Sequence, residues 1–248
     1  MNDLPMMDVG RVREIVRYPV KSMAGVASES AFLGPHGLAG DRRYAFRRTK
    51  FLLGMPWLTA SRLPELLLYQ PVAFDDASGE PLPTHVRTPS GAQIALQSEA
   101  LRAELAGRFR GGVKLVRLDE GIFDETAISI ISLTTIAGIG REAGLELDRR
   151  RFRANLVLDT EQTKPFHEDG WVGHTLLFGD ADPPPAVKIV KCDRRCVMIN
   201  LDPDTAAHDA QVMKAAMRLN RNNAGVYGTV ARTGTLHVGD RVRLATGD

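Results

Sequence analysis

The segment Lys191–Thr205, with the sequence KCDRRCVMINLDPDT, concentrates more reactive side chains than any other part of this 248-residue chain. It contains both cysteines, Cys192 and Cys196, and places Arg194 and Arg195 directly before the second one. A thiolate is the ligand that soft transition metals prefer, and neighbouring arginines favour the ionised form of a thiol. The three-residue spacing matches neither a zinc knuckle nor a Cys-x-x-Cys redox pair. Cys196 therefore has two interpretations, a soft-metal ligand or an ordinary buried cysteine at a strand edge.

Two upstream segments could supply cations for an anionic ligand. Lys21 and Ser22 end the sequence Tyr-Pro-Val-Lys-Ser, in which the proline ends a predicted strand and fixes the backbone that presents Lys21. Arg42 opens another predicted strand, and its planar guanidinium suits the oxygens of a phosphate or carboxylate. The alternative interpretations are an ordinary surface lysine and a surface ion pair between Arg42 and Asp41.

A third polar pair, Arg153 and Asn155, lies in a segment predicted as the strand Phe152–Asp159. Residues two apart in a strand point to the same face, so the guanidinium and the amide would lie side by side. This is unusual beside the apolar run Leu156–Leu158. Either the two side chains satisfy each other and nearby backbone groups, or they bind an anionic ligand.

The sequence carries no competing catalytic signature. It contains no Gly-x-Ser-x-Gly nucleophile elbow, no Walker A loop and no Gly-x-Gly-x-x-Gly after a strand. His167, Glu168 and Asp169 have the residue types of a metal site, but their surroundings predict an exposed polar loop. No second catalytic site is therefore predicted.

The elements that must position these residues are mostly short strands. Helical spacing predicts helices over Ser98–Phe109, Ser132–Leu147 and Asp209–Leu219, with Ser98 and Ser132 as N-caps. The fold class predicted is mostly β with α+β elements, a β-barrel that carries a smaller α/β section. The predicted strands are Arg11–Val20, Val26–Leu33, Arg42–Arg48, Leu66–Val72, Val113–Leu118, Phe152–Asp159, His174–Phe178, Ala186–Lys191, Cys196–Leu201, Val226–Arg232 and Gly234–Leu244.

Composition describes an ordinary soluble protein. Apolar residues make up 44% of the chain, enough for a sizeable core without disulfides. The 32 basic and 30 acidic residues argue against a nucleic-acid partner. Met1–Tyr18 lacks the apolar core of a signal peptide, and the longest uncharged run, Thr126–Gly140, is too short and polar to span a bilayer. We therefore expect a cytoplasmic protein without a membrane partner.

Five motifs, taken in chain order, carry a resemblance to a known family. They are Tyr-Pro-Val-Lys-Ser at 18–22, Gly-Asp-Arg at 40–42, Phe-Arg-Ala-Asn at 152–155, Arg-Cys at 195–196 followed by Asp-Pro-Asp-Thr at 202–205, and Val-Gly-Asp at 238–240. Together they resemble the MOSC family, named after the C-terminal domain of molybdenum cofactor sulfurase. Within it they resemble the branch of the mitochondrial amidoxime-reducing component and its bacterial relatives. The resemblance implies a MOSC-type β-barrel that carries a smaller α/β subdomain of the N-terminal type.

The same resemblance implies how the chain is divided and where a cofactor binds. Residues 1–117 would form the N-terminal-type region and residues 118–248 the MOSC domain with the cysteine motif, with room for the two to interleave. Cys196 would be the catalytic thiolate bound to molybdenum. The family holds the phosphate and pterin of molybdopterin at positions that match Lys21, Ser22, Arg42, Thr126, Ser129, Arg153, Asn155 and Arg195. Such cations and hydroxyls are what a buried, doubly negative phosphate requires.

The chain departs from the family pattern in three places. The spacing Cys-x-x-x-Cys leaves Cys192 without a family role, and Ala154 stands where the family has proline. The region 50–115 matches only loosely, which affects substrate specificity rather than cofactor binding.

The implied reaction is the reduction of small N-hydroxylated or N-oxide substrates by a molybdenum-dependent oxidoreductase. The two cysteines are fewer than the four that an iron–sulfur cluster needs. The resemblance therefore implies an external electron donor, which would be a flavin, haem or iron–sulfur protein. An alternative is a non-catalytic carrier of the cofactor or a sulfur-transfer module, in which Cys196 would hold a persulfide or dock the metal. A barrel that has lost the cofactor is the third possibility.

Overall fold

A closed β-barrel organises the structure, a computed structural model that describes residues 6–50, 54–77 and 79–245. The segment Met1–Tyr18 is predicted to lack a signal peptide, and its residues 1–5 lie outside the described ranges. The strands are β1 (Met6–Arg17), β2 (Val26–Ser28), β3 (Ser30–Gly34), β4 (Gly37–Leu38), β5 (Tyr44–Arg48), β6 (Gln70–Asp75), β7 (Leu82–Arg87), β8 (Gln93–Ala95), β9 (Val113–Arg117), β10 (Ile128–Ser132), β11 (Leu156–Thr160), β12 (Thr175–Phe178), β13 (Ala186–Arg194), β14 (Asn223–Arg232), β15 (Gly234–His237) and β16 (Arg241–Ala245). The α-helices are α1 (Glu99–Phe109), α2 (Leu133–Ala143) and α3 (Gln211–Asn220), and 3-10 helices span Pro64–Leu68, Arg149–Phe152, His167–Trp171 and Val197–Asn200.

The barrel has seven strands in the order β11-β10-β14-β13-β12-β16-β1, and pairing of β1 with β11 closes it. Only β10 and β11 run parallel among these pairs in the described ranges. Alternating apolar residues fill the interior, as in other small barrels. They include Val12, Ile15, Ile128, Ile130, Leu156, Leu158, Leu176, Val187, Ile189, Val226 and Val242. The predicted fold class, mostly β with α+β elements, is confirmed.

Gly10 allows β1 to pair with both β16 and β11. Gly10 lies at a register shift in the pairing with β16 and has φ +141, a backbone conformation that side chains rarely adopt. A Cβ atom at Gly10 would lie 2.1 Å from the carbonyl oxygen of Asp159 in β11. The bulge therefore lets β1 approach β11 closely enough to close the barrel.

A second apolar cluster packs around the β5–β9 pair and α1. It contains Val20, Met23, Tyr44, Phe46, Leu66, Tyr69, Leu101, Leu105 and Val113. β1 and β2 precede these elements in the chain, but they join the sheet that contains β10 to β14 and β16. The division into residues 1–117 and 118–248 stays a prediction. No α-helix in the described ranges is long and apolar enough to cross a membrane.

The helix caps are confirmed, and the first part of the strand predicted over Leu66–Val72 is wrong. Ser98 accepts a hydrogen bond from the Leu101 amide at the start of α1, and Ser132 accepts one from the Thr135 amide at the start of α2. α2 ends earlier than predicted because Gly144 takes a left-handed conformation. Over Leu66–Val72, a 3-10 helix that begins at Pro64 takes the place of the predicted strand, and β6 starts only at Gln70.

The prediction of an exposed loop around His167 is also wrong. Glu168 is 0% exposed, within the 3-10 helix His167–Trp171. Its carboxylate accepts hydrogen bonds from the Ser132 amide and hydroxyl at 3.1–3.2 Å and from the Thr135 hydroxyl at 2.9 Å. Burial is tolerated because the first turn of α2 supplies these donors. Glu168 therefore anchors the start of α2 to the barrel.

Replacing Ser132 with Ala should lower the free energy of unfolding by about 2 kcal/mol, because the change removes both a helix cap and a donor to the buried Glu168. Urea denaturation would measure this loss. Ser98→Ala is the matched control, since the Ser98 hydroxyl caps α1 without binding a buried carboxylate. Its expected cost is about 1 kcal/mol or less. Equal losses in the two variants would contradict the role assigned to Glu168.

Candidate functional site

Three of the predicted site residues share an uncommon backbone conformation. Ser22, Arg42 and Arg153 have φ angles of 67°, 50° and 49°, in the left-handed region that residues other than glycine rarely occupy. The prediction that Arg42 opens a strand is therefore wrong, since β5 begins at Tyr44. Backbone hydrogen bonds hold this region together, with the Arg42 amide donating to the Tyr18 carbonyl at 2.9 Å. Such conformations cost free energy and are found preferentially at functional sites.

Arg42 joins three separate segments through its guanidinium. Nη1 lies 2.5 Å from a carboxylate oxygen of Asp41 and 3.0 Å from Oδ1 of Asn155, and Nη2 donates to the Arg153 carbonyl at 3.3 Å. Asp41 is 0% exposed and also accepts the Tyr18 amide at 2.6 Å. Burial alone would lower the pKa of Arg42, but Asp41, together with Tyr227 and Tyr18, raises that pKa overall. The alternative of a surface ion pair is therefore wrong.

Asn155 lies at the centre of this arrangement rather than on a strand face beside Arg153. Arg153 follows the 3-10 helix Arg149–Phe152 in a left-handed conformation, and β11 starts only at Leu156. The prediction of a shared strand face is wrong because this left-handed residue turns the chain. Asn155 accepts from Arg42 and from the Ser129 amide, and its Nδ2 donates to the Val16 carbonyl. It thereby connects β10 and β1 to Arg42.

Arg153 has a guanidinium without a carboxylate partner in the described part of the chain. Nη1 donates to the Met23 carbonyl at 2.7 Å, and the guanidinium carbon lies 4.2 Å from the ring centre of Tyr18. This is the geometry of a cation–π contact. Burial lowers the pKa of Arg153, and burial raises the pKa of Tyr18 to about 12.

Lys21 is buried, so its interpretation as an ordinary surface lysine is wrong. Its side chain is 5% exposed, and Nζ lies 2.6 Å from a carboxylate oxygen of Asp124 and 3.4 Å from the Ile122 carbonyl. Burial lowers the pKa of Lys21, although Asp124 opposes this shift. In the same loop the Thr126 hydroxyl is buried and has no hydrogen-bond partner among the described residues.

Arg195 and Asp193 form the fourth part of the site. Asp193 accepts from the Ser129 hydroxyl at 2.9 Å and lies 2.9 Å from Nη1 of Arg195. Burial raises the pKa of Asp193, an effect that Arg195 opposes. Nε and Nη1 of Arg195 donate to the Ala224 and Phe152 carbonyls, whereas Nη2 is buried and has no partner in the described ranges. One donor of a buried cation therefore remains unsatisfied.

The two cysteines lie in different environments. Cys196 is exposed and has an extended backbone, and the 3-10 helix Val197–Asn200 follows it. The predicted strand Cys196–Leu201 is therefore wrong, because the ladder of β13 ends before Cys196. Cys192 lies within β13 and is partly buried. Burial, together with a hydrogen bond to Asp169, raises the pKa of Cys192 to about 11.

A cavity of about 380 Å³ lies beside Arg153, the one predicted site cation that lines it among the described residues. Tyr18 lines the same cavity, together with Met198 and Leu201 from the segment that follows Cys196. Such a volume lies within the range of small-molecule sites. The cavity therefore borders both regions that the sequence singled out.

Hydrogen bonds connect Arg42, Arg153, Asn155 and Ser129, and Asp193 connects Arg195 to Ser129. Lys21 bonds only to Ile122 and Asp124, but it lies close enough to Arg42 and Arg153 for their charges to lower its pKa. Ser22 and Thr126 form no bond to the other predicted residues within the described part of the chain. Sequence reasoning paired Arg42 with Asp41 but missed the other two acids beside the cations, Asp124 and Asp193. Asp193 could have been found from its position two residues before Arg195 in the Lys191–Thr205 segment. Asp124 lies 103 positions from Lys21 and gave no local signal.

Limited alkylation should distinguish the cysteines. With iodoacetamide at about pH 8, Cys196 should react well before Cys192, because Cys196 is exposed and a thiol with a raised pKa holds little thiolate. Peptide mass spectrometry would follow each site. Denatured protein, in which both thiols are free, is the control. Faster labelling of Cys192 in the folded protein would contradict the two environments.

Comparisons with known proteins fit this geometry. A family model described as the MOSC N-terminal beta barrel domain matches residues 9–106, and one described as the MOSC domain matches residues 106–243. Mitochondrial amidoxime reducing component 2 of Bos taurus is 24% identical over 299 residues, covering 96% of this chain and 84% of that protein. The crystal structure of the YUAD protein from Bacillus subtilis shares the fold, with a TM-score of 0.55, 13% identity and coverage of 99% and 100% of the two chains. The chain therefore belongs to the MOSC family.

Proposed function

We propose that this protein binds the molybdenum cofactor and reduces small N-hydroxylated or N-oxide compounds, with Cys196 as the protein ligand of molybdenum. Membership of the MOSC family supports a function associated with the molybdenum cofactor. Similarity to the mitochondrial amidoxime reducing component 2 supports a reductase. The observation that carries the proposal is the set of four cations Lys21, Arg42, Arg153 and Arg195, named here the cation cluster.

The cation cluster is suited to a phosphate. Asp41, Asp124 and Asp193 face three of its members, and Arg153 lacks a carboxylate within the described residues. A partly buried cation without a counterion is unfavourable, so an anionic ligand would stabilise it. Nη2 of Arg195 and the hydroxyl of Thr126 are also buried and find no partner in the part of the chain that the structure describes. Phosphate oxygens would accept hydrogen bonds from both kinds of donor.

The residues divide into those that would hold the cofactor and those that position them. Lys21, Arg42 and Arg153 would hold the phosphate and pterin of molybdopterin, with hydroxyls from Ser22 and Thr126. Ser129, Asn155 and Arg195 belong to the same predicted set. Ser129 and Asn155 are buried and bonded to protein atoms, so they contribute by holding Asp193 and Arg42 in place.

Cys196 would complete the metal's coordination. The described residues contain no group of three or more His, Cys, Asp or Glu side chains that could hold a metal ion. A metal that arrives with its own dithiolene sulfurs needs only one further soft ligand, which an exposed thiolate can provide. The bound cofactor would supply the redox centre that accepts an oxygen atom from the substrate and donates two electrons to the substrate. The protein would orient the substrate beside that centre.

Electrons would come from an external flavin, haem or iron–sulfur protein, since the chain has only two cysteines. The cavity beside Arg153 and Met198 would admit the small substrate. The cytoplasmic location and the absence of nucleic-acid and membrane partners stay predictions.

A non-catalytic carrier of the cofactor, or a sulfur-transfer module, is the second candidate. The exposure of Cys196 favours it, because a thiol that hands over a metal or a persulfide sulfur must be accessible to another protein. The carrier needs no substrate turnover, and this separates the two candidates.

Turnover by protein loaded with molybdenum cofactor tests the proposal. The wild type should oxidise reduced viologen when a small amidoxime or hydroxylamine is added. Cys196→Ser should abolish this activity and keep most of the pterin, because a hydroxyl is a poor soft-metal ligand while the cation cluster is unchanged. Oxidised-pterin fluorescence would measure the retained cofactor.

Cys192→Ser is the matched control and should keep most of the activity. Wild-type turnover in Cys196→Ser would contradict the ligand assignment, and equal loss in both variants would indicate a redox pair. Loading without turnover on several N-hydroxy substrates would favour the carrier.

A further inference from the structure

The loop between β9 and β10, residues 118–127, supplies both hydrogen-bond partners of the Lys21 ammonium in the described structure, the Ile122 carbonyl and the Asp124 carboxylate. Backbone bonds fix the first half of this loop, with the Leu118 amide donating to the Arg43 carbonyl and the Ile122 amide to the Arg42 carbonyl. Asp124 follows that fixed half. Its position therefore depends chiefly on its contact with Lys21.

Asp124 differs from the other acids of the site because its carboxylate can move away from its cation. Its side chain is 56% exposed, whereas Asp41 and Asp193 are 0% and 2% exposed. Asp41 accepts the Tyr18 amide and Asp193 accepts the Ser129 hydroxyl, in addition to their arginines. Asp124 accepts a bond from Lys21 alone among the described residues. Moving its carboxylate into water would break that one contact and leave the other acids in place.

We propose that Asp124 is an internal anion that neutralises Lys21 in the cofactor-free protein and is displaced into water when a phosphate binds Lys21. The proposal rests on the proposed function, since the phosphate is that of the cofactor. It assigns to Asp124 the control of anion affinity, a role that the sequence motifs do not indicate.

Charge and burial require such an exchange. Lys21 is 5% exposed, and a buried ammonium without a counterion is costly, so Asp124 stabilises the cofactor-free protein. A phosphate in contact with Lys21 would lie beside the Asp124 carboxylate, and two like charges in contact repel strongly. The Thr126 hydroxyl, two residues further along, is buried without a partner. The same phosphate that displaces Asp124 would supply an acceptor for Thr126.

The test is a calorimetric titration of the cofactor-free protein with inorganic phosphate. Asp124→Asn should bind phosphate at least about tenfold more tightly than the wild type, because Lys21 is no longer neutralised. Asp119→Asn is the matched control, since it makes the same charge change in the same loop at a residue that is 84% exposed and paired with Arg117. Its affinity should equal that of the wild type. Adding Lys21→Met to Asp124→Asn should remove the gain.

Three results would overturn the proposal: equal affinity in Asp124→Asn and the wild type, an equal gain in Asp119→Asn, or a gain that survives Lys21→Met. Asp124→Ala, with the same expected gain, replaces Asp124→Asn if thermal melting shows that the amide variant does not fold. The viologen assay and this phosphate titration can each fail without the other. Turnover without a phosphate gain overturns only the displacement, and a phosphate gain without turnover overturns only the proposed reaction.

Discussion

The buried contact of Arg42 with Asp41 and Asn155 is the interaction on which the rest of the site depends. A guanidinium removed from water must have its charge and its donors satisfied, and here three chain segments far apart in sequence satisfy them. Asn155 accepts from Arg42 and from β10 while donating to β1, so the position of Arg42 is tied to the closure of the barrel. The position of Arg42 in the cation cluster therefore depends on the closed barrel.

The acidic residues of the site have different roles because they differ in burial. Asp41 is fully enclosed and fixes Arg42, and Asp193 is almost enclosed and connects Arg195 to Ser129. Both are enclosed and accept a second hydrogen bond in addition to their arginines, so neither carboxylate can move into water without losing several buried contacts. Asp124 is half-exposed, so its carboxylate can move into water when another anion takes its place beside Lys21. The site thus combines a rigid part that sets geometry with one ion pair that can respond to a ligand.

Local features of the sequence predicted the helix caps and the types of polar residue in the site. Both depend on residues that are close together in the chain. Ser98 and Ser132 cap their helices as their spacing indicates. The left-handed conformation of Arg153 and the 3-10 helix after Cys196 were missed, because tertiary contacts override strand propensity there. The pairing of Lys21 with Asp124 could not be predicted, since only the folded chain brings these positions together. The apolar pattern indicated a barrel, but its closure depends on the bulge at Gly10.

The central claim is that the cation cluster binds the phosphate of a molybdenum cofactor. The most direct measurement is the molybdenum and pterin content of the folded protein purified from a host that makes the cofactor. Metal analysis and the fluorescence of the oxidised pterin should give equimolar amounts of both in the wild type. Folded protein that contains neither, from cells in which another molybdenum enzyme is fully loaded, would contradict the account.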